Sequence, residues 1–565
     1  MTAPDHIFSS CLEALTSAAR QRWRPQNARM GMETNADHGR GHSEGHRRKL
    51  SSTSRFLAEG SFTRSAGVPE PVITSVCVHA RAPSANELSR TANASMLPHW
   101  RFRSVPSRTW LGSWKFTEPE IADSADLLWE EVCSSKAEVM QRVHELVPKG
   151  LLVGGGKMPW WECVILRNAS NDDEQYEVVL LRVHHVIGDG IGIAHALADI
   201  FTDKHGNALS GSNFVHLRRR DDTRESKDQS HDSNAVDSRK KEEKEQKKAR
   251  GHHRTSCFGY MCSAILDLFY ALTLPLIPGD TQLRTFSGKK PHTFGGRREI
   301  VYCDCISLSK AKEVQRAAGV SFNDVIMSVT AGAIRRHAVA RHDEAAQAQS
   351  PRVRALMPFA FPRAFSEVLR NSWCFVSTAI AFGESSGAYQ RLEATHAYMN
   401  RLKSGTLPSV MYFVQQYVLG SAPMPLVRTT NTNMFKQHSL VFTNVPGPQR
   451  EVYICGQKVE HMYFLFANLL PQVDVFTYDG SVYVNMLIDP SVVQQAQSIA
   501  DFWREEFEEL ARSVGVDVSE SAWSARKEHF ASPDLIVCDT GTEKQRQQLP
   551  QQQQQHQERE RSIRA

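Results

Sequence analysis

With 565 residues, the chain is too long to form one compact core, and we expect two or three domains. The net charge of +5 is spread over mixed-charge runs rather than concentrated in one basic stripe, which argues against a nucleic-acid-binding groove. The 11 cysteines have no zinc-ribbon spacing, so we expect reduced thiols in a protein that faces the cytosol rather than a disulfide framework.

Three segments are too polar to form a core of their own. We predict a disordered polar extension over residues 1–69, a disordered charged linker over 213–255 and a low-complexity tail over 516–565. Segments of this composition bury too little apolar surface to offset the entropy lost when the chain becomes ordered. The folded part of the protein is therefore expected between them.

The N-terminal half, residues 70–212, begins with a segment in which apolar and polar residues alternate. This alternation predicts a strand from Pro71 to His79, and an amphipathic period predicts a helix from Ala125 to Val147. Two further predicted strands, Trp161 to Leu166 and Tyr176 to Val183, are separated by a turn-rich segment and form a hairpin.

The second strand of this hairpin runs directly into the sequence His184-His185-Val-Ile-Gly-Asp189-Gly190, and a helix is predicted after it. A histidine that titrates near neutral pH can take a proton from a hydroxyl and return it to a leaving group, which contributes roughly 10²–10⁴ in rate. His185 is therefore a candidate general base, with Asp189 bracing the loop and the glycines permitting a tight backbone. Two other interpretations stay open. The motif can be a strand end capped by two histidines and a turn aspartate, or a metal site that lacks a well-spaced third ligand.

The segment at residues 256–280 is apolar and long enough to suggest a membrane span. However, Asp267 interrupts it, and Pro275 and Pro278 weaken its end. A single span would also place the motif around His185 and the motifs that follow this segment in opposite compartments. We therefore predict an interfacial or re-entrant helix, with a buried core helix as the alternative.

The C-terminal half, residues 281–515, combines one long predicted helix, Ser321 to Ala340, with several strands. Strands and helices mix without a regular βαβ alternation, so we predict an α/β fold of the layered α+β type. A further apolar segment, Leu407 to Val427, is expected in the core or in the wall of an acyl tunnel. The predicted strands are Ile300 to Ile306, Val353 to Met357, Cys374 to Phe382, His438 to Thr443, Val473 to Tyr478 and Ser481 to Ile488.

Six segments spread along the chain resemble motifs of one protein family, and they occur in the same order as in that family. It is the wax ester synthase/diacylglycerol acyltransferase (WS/DGAT) family of bifunctional O-acyltransferases, a branch of the CoA-dependent acyltransferase superfamily. His184 to Gly190 is similar to the HHxxxDG motif of that family. The resemblance extends from Glu70 to Ser513, but the L-S-P-x-D pattern that opens the family is not recognised before Glu70. The remaining five segments are Lys157-Met-Pro-Trp-Trp-Glu162, Ser321-Phe-Asn323-Asp-Val325, Arg354-Ala-Leu-Met-Pro358, Thr443-Asn444-Val-Pro-Gly-Pro448 and Phe476-Thr-Tyr-Asp-Gly480.

The resemblance implies two chloramphenicol-acetyltransferase-like halves around a central channel, with His185 near its centre. It implies transfer of a long-chain acyl group from acyl-CoA to a fatty alcohol or a diacylglycerol, with His185 as the general base. His184 would support the loop, and Asp189, followed by Gly190, would orient it through a buried ion pair, for which Arg354 is the candidate partner.

Three further residues are assigned by the same resemblance. Asn323 would lie beside the reaction centre, although the residue type alone is equally consistent with a helix N-cap. Thr443 and Asn444 would help to hold the oxyanion or the thioester carbonyl, although Asn444 is also a common turn residue.

The predicted partners are acyl-CoA, a lipid alcohol or diacylglycerol, and a membrane or lipid-droplet surface. No metal and no cofactor are expected, since acyl-CoA is a substrate, and no nucleic acid is expected as a partner. The predicted location is the cytosolic face of the endoplasmic reticulum membrane, held peripherally or by a re-entrant segment, or a lipid droplet.

Two alternative functions follow from the same residues. A condensation-type acyltransferase shares HHxxxDG, but such domains usually accompany a carrier domain with a G-G-x-S serine, which this sequence lacks. Plant-type alcohol acyltransferases carry a D-F-G-W-G segment, which is also absent. A catalytically silent lipid-binding or scaffold protein with the same fold is the second alternative, and an assay of CoA release separates it from an enzyme.

Overall fold

The computed structural model describes residues 48–59, 70–109, 114–117, 124–152, 158–170, 176–209, 257–281, 283–288, 297–347, 351–363, 368–382 and 387–524. The predicted charged linker, most of the predicted N-terminal extension and the tail beyond Ser524 lie outside these residues.

The strands form two main sheets, a three-stranded sheet and a small hairpin. In chain order they are β1 (Arg48–Lys49), β2 (Val72–His79), β3 (Val105–Arg108), β4 (Trp114–Thr117), β5 (Leu128–Cys133), β6 (Trp161–Asn168), β7 (Glu177–His184), β8 (Glu299–Tyr302), β9 (Cys305–Ser307), β10 (Arg354–Ala360), β11 (Trp373–Ala379), β12 (Leu440–Pro446), β13 (Tyr453–Ile454), β14 (Gln457–Lys458), β15 (His461–Phe466), β16 (Gln472–Tyr478), β17 (Ser481–Ile488) and β18 (Trp523–Ser524).

The helices lie between and around these strands. They are α1 (Ser52–Glu59), α2 (Ala85–Ser95), α3 (Trp100–Arg103), α4 (Lys136–Leu146), α5 (Gly190–Leu197), α6 (Cys257–Thr273), α7 (Leu308–Ala318), α8 (Phe322–Ala340), α9 (Glu344–Gln347), α10 (Ala388–Ser404), α11 (Leu407–Phe413), α12 (Leu419–Ser421), α13 (Met424–Lys436) and α14 (Gln497–Ser513).

Sheet 1 has five strands in the order β15-β2-β7-β6-β5, and sheet 2 has eight strands. The order in sheet 2 is β11-β10-β12-β16-β17-β9-β18, with β8 also paired to β17. The pairs β5–β6, β10–β12 and β12–β16 are parallel, and the remaining pairs in both sheets are antiparallel. The predicted α/β fold with two halves is therefore confirmed. One strand of the C-terminal half, β15, joins sheet 1 by pairing with β2.

The core behind sheet 2 depends on the contact between α8 and α14. Trp503 is fully buried, and its Nε1 donates to Thr330 Oγ1 at 3.2 Å. The buried Glu506 carboxylate pairs with Arg391 and lies over Gly332, where a Cβ would be 2.2 Å from Glu506 Cδ. Any side chain at position 332 would displace this carboxylate, which explains why the helix carries glycine there.

The predicted helix from Ala125 to Val147 is wrong over its first half. Residues 125–127 form a short 3₁₀ turn, Leu128–Cys133 form β5, and helix α4 begins only after Ser135. Residues 128–133 have a helix-like spacing of apolar side chains, but they pair with β6 and form a strand. Contacts with distant parts of the chain outweigh the local preference of a short segment for helix. Ser135 then accepts a hydrogen bond from Glu138 N and caps the new helix.

The predicted disorder of residues 1–69 is wrong for residues 52–59, which form α1. This helix is held by polar contacts, since the amide nitrogen of Gln415 donates to Thr53 Oγ1 at 3.2 Å and that of Asn371 donates to Ser54 Oγ at 3.1 Å. The predicted strand Ile300 to Ile306 also differs, since it is divided into β8 and β9, both paired with β17.

Helix α6 packs on the core along one side and is exposed along the other. Ala271 is buried, whereas six large apolar side chains are between 51% and 78% exposed: Met261, Ile265, Leu266, Phe269, Leu272 and Leu276, the last in the turn that follows α6. The alternative of a fully buried core helix is therefore wrong. Asp267, the one charged residue of α6, accepts a hydrogen bond from Thr406 Oγ1 and so leaves the exposed side apolar.

Within the residues described, no single helix combines the length and the apolar character needed to cross a bilayer. One bent pair, α7 with α8 at 98° to each other, meets the criterion by length and composition. Most residues of α8 are buried in the core of sheet 2.

Candidate functional site

A cleft between sheet 1 and sheet 2 encloses about 1270 Å³, including its open mouth. Both halves contribute to its walls, which come from α1, from β2 and β15 of sheet 1, and from β12 and β16 of sheet 2. Its lining is mainly apolar, with Phe56, Leu57, Ile73, Phe375, Phe464 and Val475 among the wall residues.

His185 lines this cleft at the point where β7 ends. Its Nδ1 lies 3.1 Å from Oδ1 of Asn371. The amide nitrogen of Asn371 donates to the His185 carbonyl at 2.9 Å and to Ser54 Oγ at 3.1 Å, which assigns the amide oxygen to the imidazole side. Because an amide oxygen only accepts, Nδ1 carries the hydrogen and Nε2 carries the lone pair.

The imidazole of His185 is half-buried between two aromatic rings. The ring centroid of Trp373 is 5.5 Å from that of His185, and the centroid of Phe466 is 5.8 Å from it. Burial lowers the pKa of His185 below its ordinary value, although the Asp189 carboxylate acts in the opposite direction. The ring is therefore neutral at pH 7 and able to accept a proton.

His184 does not line the cleft but holds the turn that precedes α5. It is buried, its Nδ1 accepts a hydrogen bond from Val186 N at 3.1 Å, and its ring packs edge-on against Trp160 at 4.7 Å. Burial lowers the pKa of His184 to about 3, so the ring stays neutral and holds the tight turn that presents His185.

Asp189 makes the contacts that connect this loop to the C-terminal half. Its Oδ1 caps α5 by accepting from Gly192 N at 2.9 Å, and its two carboxylate oxygens pair with Arg363 at 2.5 and 2.6 Å. Ser372 N adds a third donor at 3.1 Å. The carboxylate and the guanidinium are both buried, so the predicted buried ion pair of Asp189 with an arginine exists.

Arg354, the predicted partner of Asp189, is in fact bound elsewhere. Its Nε donates to Asp280 Oδ1 at 2.6 Å, and its backbone N donates to Asp280 Oδ2 at 2.7 Å. Arg354 is not among the residues that line the cleft, so its assignment to substrate binding is wrong. The strand that carries it, β10, extends to Ala360, and Arg363 lies three residues after its end.

The C-terminal half lies very close to the start of α5 at two glycines, Gly190 and Gly192. At Gly190 a Cβ would lie 3.2 Å from Cγ2 of Val445 on β12. At Gly192 a Cβ would lie 2.5 Å from the carbonyl oxygen of Val368, a separation that a side chain cannot adopt.

Thr443 and Asn444 line the cleft on β12, and Asn323 lies beside them at the start of α8. Nδ2 of Asn444 donates to Oδ1 of Asn323 at 2.5 Å, which brings together two residues that are 121 positions apart in the chain. Asn323 is not the N-cap of α8, because Ser321 and Asp324 form the capping box there. Asn444 belongs to β12 and not to a turn.

The residues that sequence reasoning missed are Asn371, Arg363 and Ser54. Nothing in the local sequence of Asn371 or Arg363 points to the cleft, since both residues lie in the connection between β10 and β11. A partial signal existed for Ser54, because Leu50-Ser51-Ser52-Thr53-Ser54 keeps the first two positions of the L-S-P-x-D pattern.

The sequence is similar to those of proteins named as acyltransferases. Residues 370–511 match the family description "WS/DGAT C-terminal domain". A Mycobacterium tuberculosis protein, provisionally named a diacylglycerol O-acyltransferase, is 23% identical over 244 residues, which are 41% of this chain and 47% of that protein. The chain thus spans about half the length of this curated relative.

Two solved structures share the fold. The wax ester synthase/diacylglycerol acyltransferase from Marinobacter aquaeolei VT8 aligns with a TM-score of 0.50 and 15% identity, covering 83% of this chain and 100% of that one. The first condensation domain of the calcium-dependent antibiotic synthetase aligns with a TM-score of 0.51 and 12% identity, covering 84% and 97% of the two chains. At these identities the likeness establishes the architecture alone.

Proposed function

Because the chain belongs to the WS/DGAT family, we propose that it transfers a long-chain acyl group from acyl-CoA to the hydroxyl of a fatty alcohol or a diacylglycerol. The products are a wax ester or a triacylglycerol, and free CoA. The observation that carries the proposal is the neutral His185 at an apolar cleft, with Nδ1 held by Asn371 and a lone pair left on Nε2.

In the proposed reaction, Nε2 of His185 takes the proton of the acceptor hydroxyl as its oxygen attacks the thioester carbonyl carbon. The carbonyl becomes an oxyanion in a tetrahedral intermediate. When the carbon–sulfur bond breaks, the proton on Nε2 passes to the departing thiolate, and CoA leaves as the thiol. The protein forms no covalent bond with the acyl group, and placing both substrates at one imidazole supplies much of the acceleration.

Thr443 and Asn444 are proposed to stabilise the oxyanion. Asn444 has two amide hydrogens, and its bond to Asn323 uses one of them, so the other is available to a developing charge. The Thr443 hydroxyl is the second candidate donor on the same strand. Removing one such donor typically costs about 3–4 kcal/mol of transition-state stabilisation.

The proposal is tested with purified protein, radiolabelled palmitoyl-CoA, and hexadecanol or dioleoylglycerol as acceptor. Free thiol and labelled ester should appear together, in equal amounts, with at least one acceptor. If no thiol is released with either acceptor, the protein is a silent lipid-binding or scaffold protein of this fold.

We further propose that the exposed apolar side of α6 rests on a lipid surface, such as the cytosolic face of the endoplasmic reticulum membrane or a lipid droplet. An uninterrupted row of large apolar side chains, with Asp267 turned toward Thr406, is what an interfacial helix requires. The basic residues that precede α6 in the sequence, Lys247 to Arg254, lie outside the described part of the chain.

The double substitution Ile265→Gln with Phe269→Gln is expected to weaken binding to phosphatidylcholine/phosphatidylserine vesicles by about 100-fold or more. Each of these side chains contributes about 1.5–3 kcal/mol when it is fully removed from water. Flotation with vesicles measures the effect, with Val132→Gln as the control, since Val132 is 71% exposed on β5. Equal flotation of the wild type and the double variant would contradict the assignment.

A further inference from the structure

A small polar cluster interrupts the apolar wall of the cleft. Asn468, Gln472 and Asp474, here called the amide–acid cluster, all line the cleft and are all buried. Asn468 Nδ2 donates to Gln472 Oε1 at 3.3 Å, and Gln472 Nε2 donates to Asp474 Oδ1 at 2.8 Å. A few polar side chains in the wall of an otherwise apolar pocket are typically the groups that orient a ligand by binding its polar atoms.

The cluster is attached to the catalytic histidine through one residue. Phe466 N donates to Asp474 Oδ2 at 3.0 Å, and the ring of the same Phe466 packs against the imidazole of His185. The cluster therefore belongs to the region of the cleft that an acceptor occupies when its hydroxyl reaches His185.

Asp474 has polar neighbours on the two strands next to β16. Asp474 on β16 is paired with Thr443 on β12 and with Asn485 on β17, so the three side chains share one face of sheet 2. Asn485 is buried, and its Nδ2 has no hydrogen-bond partner among the residues that the structure describes. This face of sheet 2 thus holds one amide donor that no described residue uses, on a residue next to the cleft lining rather than in it.

Asp474 is able to act as a donor at neutral pH. Burial raises the pKa of its carboxyl to about 7, although the bonds from Gln472 and Phe466 act in the opposite direction. A substantial part of the population is therefore the neutral acid, whose proton can be given to a carbonyl oxygen. Filling the cleft with hydrocarbon favours this neutral form further, because it removes water from the carboxyl group.

The two candidate acceptors differ in what they offer this cluster. A simple long-chain alcohol has one oxygen, which must lie at His185, and its remaining atoms are hydrocarbon. A diacylglycerol has ester carbonyls close to its hydroxyl. We propose that the amide–acid cluster is a subsite for an ester carbonyl of the acceptor, so that the cleft selects a diacylglycerol over a simple alcohol. This inference rests on the acyl transfer proposed above.

The test offers radiolabelled palmitoyl-CoA to equal amounts of dioleoylglycerol and hexadecanol and separates the two labelled products. In Asp474→Leu the ratio of triacylglycerol to wax ester is expected to fall by about 10- to 100-fold, because a buried hydrogen bond to the glyceride is lost. Asp474→Asn keeps a donor and is expected to retain the ratio within about threefold. Thr378→Val is the control, since it removes a buried hydroxyl of sheet 2 outside the cleft lining.

The outcomes separate the inference from the function on which it rests. A wild type that forms neither product overturns the proposed function. An active wild type whose product ratio is the same in Asp474→Leu overturns the subsite alone. An unchanged ratio with a raised KM for palmitoyl-CoA also overturns it, because the cluster would then bind the amides of the donor. Gln472→Met, which leaves Asp474 in place, serves as a second variant and must lower the ratio as well.

Discussion

Replacing His185 with alanine is expected to lower kcat for acyl transfer by about 10²–10⁴-fold while the protein remains folded. The substitution removes the one imidazole of the motif that lines the cleft, whereas the buried His184 continues to hold the turn through Val186 N. Since the acyl chain is bound by the apolar walls, palmitoyl-CoA should bind with nearly unchanged Kd. Single-turnover kinetics and a binding titration measure the two quantities separately.

The control is His205→Ala, which removes an exposed histidine from the turn after α5 and should leave both quantities unchanged. A His185→Ala protein that keeps more than about a tenth of the wild-type kcat would contradict the role of His185, because loss of a general base costs at least about 10²-fold.

The substitution Asp189→Ser is expected to lower the free energy of unfolding by about 3–5 kcal/mol, because it leaves the buried guanidinium of Arg363 without its carboxylate. Serine is also a good N-cap residue for α5, so the loss of stability measures the ion pair and not the loss of the helix cap. The pair also joins the His185 loop to the segment before β11, so kcat should fall with the stability. Urea unfolding at pH 7 measures the free energy.

Adding Arg363→Met to Asp189→Ser should recover a large part of that stability, because the uncompensated buried charge is then removed. The matched control is Glu313→Ser in the exposed pair with Lys310, where we expect a change of at most about 1 kcal/mol. A loss in Asp189→Ser as small as this control would show that the Asp189–Arg363 pair does not brace the loop.

Local sequence patterns were sufficient to predict the elements that alternate strongly or carry clear caps. The strand Ser481–Ile488 has the predicted bounds, and α8 starts after the predicted Ser321. The ordered motifs also identified residues that do meet, since Asn444 and Asn323 are hydrogen-bonded. These successes rest on periodicity and on resemblance, both of which are visible within a short window of sequence.

The errors concern features that depend on distant parts of the chain. Leu128–Cys133 is a strand because β6 is there to pair with it, and no local pattern reports that partner. The choice between Arg354 and Arg363 as partner of Asp189 depends on how far β10 extends before the chain turns back. The role of Asn371 depends on the connection before β11, which lies against the His185 loop although it is 186 positions away in the chain.

The pH dependence of kcat/KM, compared between the wild type and Asn371→Leu, tests the role of His185 most directly. In the wild type, activity should be lost as the pH falls through an inflection below about 6.5, the ordinary pKa of histidine, and should be level above it. In Asn371→Leu the hydrogen bond that favours the imidazolium is absent, so the inflection should move to a lower pH and the plateau should fall by about tenfold or more. An inflection that the substitution leaves in place, or a wild-type rate that still rises above pH 8, would contradict the assignment of His185 as the base.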